Sequence, residues 1–452
     1  MNSNFNELRN KYTTFIYKKY NSEIKDNNLI ITFNFEIPGL TIFNPQIIIP
    51  IPNINVEKND YLDYLIFNLG LVELISYYKC TCSPNVIIEA GYIDQNQINW
   101  FKKLYYYGLG EFMYVNNINI SEDELMTITC NKDKKDIEIP NYIGKGNLIP
   151  IGGGKDSTVS LEILKPYKED NHCFIINPKE VTLSCAQVAG YKQDKIVGIK
   201  RTIDSNLINL NKEGYLNGHT PFSAIVAFTS YITAYLYNKK FITLSNESSA
   251  NESTVIGTKI NHQYSKTYEF ENDFNNYTKE YFKIDIQYFS LLRPLTEYQI
   301  GMLFSNYKQY HQIFKSCNVG SKTQPWKWCC NCPKCLFVYT ILSPYLYKED
   351  LVKIFGEDMF ENQNLIKTFD ELLGYSETKP FECVGTYEEV RFATSKTINK
   401  LNNQELPYLL NYYKNKYPLE LDTNYERLFN NEHNIPMEYI ELIRKELDKY
   451  AK

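Results

Sequence analysis

The stretch Leu148-Ile149-Pro150-Ile151-Gly152-Gly153-Gly154-Lys155-Asp156-Ser157-Thr158 reads as a strand, a three-glycine turn and the opening of a helix. Glycines let the backbone approach an anion closely. The free N–H groups and dipole of a helix start favour negative charge at the same place. Two familiar nucleotide loops do not fit: the third glycine of G-x-G-x-x-G is absent, and Asp156 separates Gly154-Lys155 from the Ser157 that a Walker A loop needs directly after its lysine. A glycine-rich turn without a ligand is the plain alternative.

Outward from this loop the chain alternates strand and helix. Candidate strands cover 147–151, 172–177, 195–200, 241–245 and 285–291, with candidate helices at 157–166, 181–190, 221–238, 265–282 and 296–307. Such alternation predicts an α/β fold, a doubly wound parallel sheet with ligands at the carboxyl ends of its strands. Residues 28–55 alternate apolar and polar side chains as short, partly antiparallel strands. Residues 60–79 read as helix, 86–90 as a strand, and 94–107 as an amphipathic helix that Asp94 caps. The expected organisation is an α+β N-terminal domain over 1–143, the α/β domain over 144–310, and a cysteine cluster with a mostly helical C-terminal region over 311–452.

The 452 residues carry 48 Lys+Arg against 53 Asp+Glu, a net charge of -5, which leaves no basic footprint for nucleic acid. The N-terminal 20 residues lack the apolar core of a secretory signal, and no run approaches the ~20 apolar residues of a membrane span. A cytoplasmic protein with neither nucleic-acid nor membrane partner is expected. Its eleven cysteines then read as reduced thiols or metal ligands before disulfides. Cys317-x11-Cys329-x2-Cys332-x2-Cys335 offers four thiolates for a structural, tetrahedral zinc ion. An iron–sulfur cluster and plain core thiols are the alternatives.

Other polar constellations fall at predicted loop and strand ends. His219 follows Asn217-Gly218, as a turn or as a polar group at the ligand edge. Glu247 and Asn251 lie in the polar run after the strand at 241–245, suited to Mg2+ or ribose, or simply to solvent. Asn261-His262-Gln263-Tyr264-Ser265-Lys266 packs three proton-transfer side chains, His262, Tyr264 and Lys266, into five residues. Arg293 suits phosphate or carboxylate, or a surface ion pair.

Two resemblances sharpen this. Gly153 to Ser157 resembles the pyrophosphatase (PP-loop) pattern Ser-Gly-Gly-x-Asp-Ser of ATP-dependent synthetases, with Gly152 in place of the serine. That resemblance implies ATP bound by Gly152, Gly153, Gly154, Lys155, Asp156 and Ser157, and cleavage between the α and β phosphates. A similar four-cysteine zinc arrangement occurs in the PP-loop enzyme 7-cyano-7-deazaguanine synthase. Across most of its length the chain resembles the UDP-N-acetylmuramoyl-L-alanyl-L-glutamate epimerase family. The residues that carry this are Gly70–Lys79, Gly108–Tyr114, the glycine loop, Ser245–Asn251, Val255–Phe270, Trp328–Cys335 and Lys379–Gly385.

The family resemblance implies ATP- and Mg2+-dependent inversion of the terminal L-glutamate of a UDP-N-acetylmuramoyl dipeptide, through an adenylated carboxylate, for bacterial peptidoglycan precursors. Within it, His262, Tyr264, Lys266 and Cys383 are the expected proton-transfer groups. Glu247, Asn251 and Arg293 are expected to help hold nucleotide or Mg2+. The rival readings are a PP-loop ligase or synthase and a non-catalytic nucleotide-binding regulator; the oligomeric state is open.

Overall fold

The computed structural model describes residues 3–52, 58–252, 261, 264–323, 325–376, 379–402 and 404–450. Among the described residues, eleven strands build one sheet: β1 Thr14–Lys25, β2 Asn28–Ile37, β3 Thr41–Phe43, β4 Gln46–Pro50, β5 Asn85–Ile88, β6 Thr127–Cys130, β7 Asn147–Pro150, β8 His172–Ile176, β9 Ile196–Thr202, β10 Phe241–Leu244 and β11 Gln287–Ser290. Their order is β11-β10-β7-β8-β9-β4-β2-β1-β5-β6, with β3 branching from β2.

The five strands from β7 to β11 pair in parallel. The chain runs outward from β7 through β8 to β9, then returns to β10 and β11 on the other side of β7. The N-terminal strands do not form a sheet of their own. β4 pairs antiparallel with β9, Ile47 opposite Arg201 and Ile48 opposite Lys200, so the sheet continues into the β4-β2-β1 antiparallel part. This join depends on the open edge of β9, which must find backbone partners. No periodicity in either segment announces it.

Alternation along the strands divides the interior. Leu148, Phe174, Val197, Ile242 and Leu244 face a core shared with the N-terminal helices. Ile149, Cys173, Ile175, Ile196 and Phe241 face a second core, shared with the C-terminal helices. Both faces of the parallel part are therefore covered, which explains why its strands read as unbroken apolar runs.

Local signals held where caps were present. Asp94 caps the helix Gln95–Gly108 by accepting from Gln97 N at 2.9 Å, and Gln97 Oε1 accepts from Asp94 N at 3.2 Å. The helix expected over 60–79 breaks at Leu74 into Asp60–Glu73 and Ile75–Tyr78. The one expected over 265–282 is a helix Tyr268–Tyr277 that continues as a π-turn to Phe282, ended by Lys283 at φ 60°. β1 is missed in the sequence, since its outer half carries Lys18, Lys19, Asn21 and Ser22 with no apolar alternation.

His172, at the start of β8, packs against Tyr237 with ring centroids 5.2 Å apart, and its Nδ1 is buried without a partner among the described residues. Burial, with Lys239 and Lys195 nearby, pulls its pKa from 6.5 down to about 3. As pH falls below 6.5 the unfolded chain takes up a proton that the folded chain refuses, so stability is lost through that window. His172→Asn should flatten the fall in Tm as pH drops from 6.5 to about 4. Equal slopes for variant and wild type would exclude His172 as the source.

Candidate functional site

The glycine loop leaves β7 and opens the helix Lys155–Ile163. Gly153 sits at φ 81°, and a Cβ there would stand 3.0 Å from Val181 Cγ1, so this position requires glycine. Gly154 is the N-cap, with extended backbone and no side chain to satisfy the first helical N–H groups. Ser157 Oγ donates to Gly154 O at 3.1 Å, closing the first turn on itself.

Lys155 does not stand out into solvent. It is 1% exposed, and its ammonium is ion-paired with both Asp156 and Glu297. Burial works to lower its pKa, but the two carboxylates outweigh that and raise it. Burial likewise works to raise Asp156, and Lys155, Lys334 and Lys266 together hold it below the usual carboxylate range. Glu297, 1% exposed, is pushed up to about 8, by burial first and then by the crowding of Asp156 and Glu247, against the pull of Lys155. Its own N–H donates to Glu389 Oε1 at 2.5 Å, and Glu389 is fastened by Thr386 N at 2.9 Å. Glycine loop and C-terminal helices are thus joined through one buried chain of charges.

Beside this chain Lys266 Nζ lies 3.0 Å from Cys383 Sγ, bringing together two of the expected proton-transfer residues from 117 positions apart. Burial works to lower Lys266, and Cys383 and Glu247 overcome it, so the ammonium is kept. Lys334 donates to the Cys383 carbonyl, and Lys379 pairs with Glu252. Glu247 is buried within the same group, accepting from Ser249 Oγ at 3.1 Å.

The other expected residues have different placements. His262 lies outside the described residues. The Tyr264 ring packs on Tyr107 at 5.3 Å, and burial drives its hydroxyl pKa far up, which disfavours proton release. Asn251 Oδ1 accepts from Tyr268 N at 2.8 Å, near the start of the following helix. Arg293 is wholly buried; it binds Glu271 Oε2 at 3.1 Å, Lys266 O at 2.7 Å and Glu247 O at 3.0 Å. Its role in this geometry is to hold the loops that carry Lys266 and Glu247. His219 Nδ1 lies 3.3 Å from Glu111 Oε2.

The four cysteines converge. The sulfurs of Cys317, Cys329, Cys332 and Cys335 all lie within 4.8 Å of one another, with separations of 3.8, 3.7 and 3.4 Å among neighbours. Four sulfurs placed tetrahedrally ~2.3 Å from a zinc ion stand about 3.8 Å apart, so the donor set fits. The contact between the Cys332 and Cys335 sulfurs, more than burial opposes it, draws Cys332 down to about 5. Cys330, though adjacent in sequence, turns away and donates to Phe355 O at 3.2 Å. None of the eleven cysteines, all of them among the described residues, is in a disulfide.

Fold and site together define an α/β protein whose glycine loop, buried lysine–carboxylate cluster and cysteine knuckle meet beyond the carboxyl end of the interior strand β7. Residues 6–291 match the MurL N-terminal domain and residues 313–425 the MurL C-terminal domain, the first spanning the shared sheet from β1 to β11. The chain belongs to the MurL family. Three curated relatives each bear the name UDP-N-acetyl-alpha-D-muramoyl-L-alanyl-L-glutamate epimerase. The protein of Xanthomonas oryzae pv. oryzae is 32% identical over 362 residues, 79% of either chain. That of Micromonospora sp. is 31% identical over 405 residues, 86% of this chain and 88% of its own. That of Salinispora tropica is 30% identical over 400 residues, 86% of each. Glu297, Glu389 and Lys334 were not singled out in the sequence; the two glutamates are acids in the first turns of their helices, and Lys334 lies between two cysteines that draw the attention.

Proposed function

We propose that this protein inverts the α-carbon of the terminal L-glutamate in UDP-N-acetylmuramoyl-L-alanyl-L-glutamate, using ATP and Mg2+, for peptidoglycan precursor synthesis in the cytoplasm. The observation that carries the chemistry is the Lys266–Cys383 pair, 3.0 Å apart, beside the glycine loop. The two diastereomers are close in free energy, so ATP serves rate rather than equilibrium. Taking a proton from carbon next to a carboxylate would build a dianion, costly in a site of low dielectric. Adenylating that carboxylate removes its charge and makes the carbonyl an electron sink; the α/β arrangement is then a doubly wound PP-loop fold put to use for activation.

Gly152, Gly153, Gly154, Asp156 and Ser157 receive the phosphates in this reading, with Lys155 fixing Asp156 from behind. Glu247, buried and facing the lysines, is the residue suited to Mg2+. Two atoms 3.0 Å apart cannot flank a carbon from opposite sides, because each reacting atom needs ~3–3.5 Å to it. The pair therefore serves one face. Cys383 is the base, Lys266 keeps charge on its sulfur, and the opposite face needs a second donor, for which His262 is the candidate. The cysteine knuckle holds structural zinc, supplying rigidity and no chemical step.

The test is incubation with ATP, Mg2+ and the L-glutamyl substrate in D2O. Deuterium at the glutamate α-carbon with release of AMP is expected. AMP formed only when an amine is added would make the protein a ligase, and the absence of turnover would make it a nucleotide-binding regulator.

A further inference from the structure

The segment that carries the four thiols also touches the glycine loop. Lys315 N donates to Gly153 O at 2.9 Å. The next residue, Ser316, stands against the helix start, where a Cβ on Gly154 would meet Ser316 Cβ at 3.4 Å. Ser316 Oγ is buried and has no hydrogen-bond partner among the described residues. An orphaned buried hydroxyl is uncommon in a folded protein, and beside an anion-binding loop a ligand oxygen is the partner that would complete it.

The other end of the segment brings a cation to the same place. Lys334, between Cys332 and Cys335, is 5% exposed, and its ammonium donates to Cys383 O while lying 5.3 Å from the Phe337 ring centre. Its charge acts on both Asp156 and Glu297. An ammonium carries three N–H donors, and among the described residues the Cys383 carbonyl uses one of them. Ser316 and Lys334 each directly precede a thiol of the cluster, Cys317 and Cys335. The knuckle therefore fixes the position of both.

We infer that Ser316 and Lys334 are phosphate-contacting residues which the cysteine knuckle delivers to the glycine loop, the Ser316 hydroxyl standing in for the one absent at Gly152. The ligand is a phosphoanhydride, and the inference rests on the loop being the ATP site. It also gives the knuckle a purpose beyond stability: it completes the anion site at the start of the helix. Position 152 remains open, since a Cβ there meets nothing within 4 Å, so a serine can be returned to it without a clash.

The test is calorimetric titration of the metal-loaded full chain with pyrophosphate and, separately, with ATP and Mg2+. Lys334→Met should weaken binding by about 10- to 100-fold, as loss of a charge-assisted hydrogen bond does, with Lys334→Arg recovering part of it. Ser316→Ala should weaken binding about fivefold. The double change Ser316→Ala with Gly152→Ser should restore affinity to within about twofold of wild type. Wild-type affinity in both Lys334→Met and Ser316→Ala overturns the inference while leaving the ATP site standing. A Ser316→Ala defect that Gly152→Ser does not repair assigns the loss to loop packing and overturns the hydroxyl exchange. If the wild-type chain binds neither probe, the ATP reading and this inference fall together.

Discussion

Cys383→Ala is expected to lower epimerisation by about 10²- to 10⁴-fold, the range for loss of a positioned general base, with affinity for ATP nearly unchanged. Cys383 is the sulfur that Lys266 contacts at 3.0 Å. A second consequence separates chemistry from structure. Cys383 and Glu247 are what hold Lys266 protonated against its burial. With the sulfur gone, the opposing pull of burial leaves the ammonium easier to deprotonate. Residual activity should then fail at lower pH on the alkaline side than it does in wild type. Deuterium exchange at the glutamate α-carbon, followed against pH, reads both effects. Exchange at the wild-type rate in Cys383→Ala would remove this residue from the reaction.

Removing a ligand of the knuckle is expected to have the largest effect on stability. Cys332→Ala takes one sulfur from the set that packs at 3.4 to 3.8 Å. Structural zinc sites supply ~10–16 kcal/mol of apparent binding energy in small domains, and with ~2.1 cal/mol/K of unfolding entropy per residue a chain of this size loses roughly 1 °C of Tm per kcal/mol. A fall of about 10 °C or more is expected, together with loss of bound metal. Cys330→Ala provides the control, since its sulfur donates to Phe355 O instead, and metal content should stay at wild-type level. Elemental analysis of the purified wild-type chain checks the premise: neither zinc nor iron near one equivalent would refute the metal site.

Much of the site was legible because its signals are local. Gly153 must be glycine for the turn it makes, Asp94 must cap for its helix to begin there, and three of the four cysteines keep the short x2 spacing. Lys266 and Cys383 were each named, but nothing in either neighbourhood says that one meets the other. At Arg293 the sequence leaves phosphate, carboxylate and a surface ion pair open; the structure buries it against Glu271, a pairing that an otherwise costly core charge needs. Glu297 and Glu389 had no spacing rule to flag them, being single acids at the starts of two helices.

Short-range chemistry therefore determined the strands of the parallel part, the caps, the glycine turn and the Cys329–Cys335 part of the knuckle, because each depends on residues within a few positions of one another. Long-range closure decided the rest. The pairing of β4 with β9 merged two segments into one sheet, and the contact of the cysteine segment with the loop set Lys155, Lys266 and Lys334 around Asp156. Such neighbours are chosen by backbone edges seeking partners and buried charges seeking counter-charges, conditions that no stretch of sequence contains by itself.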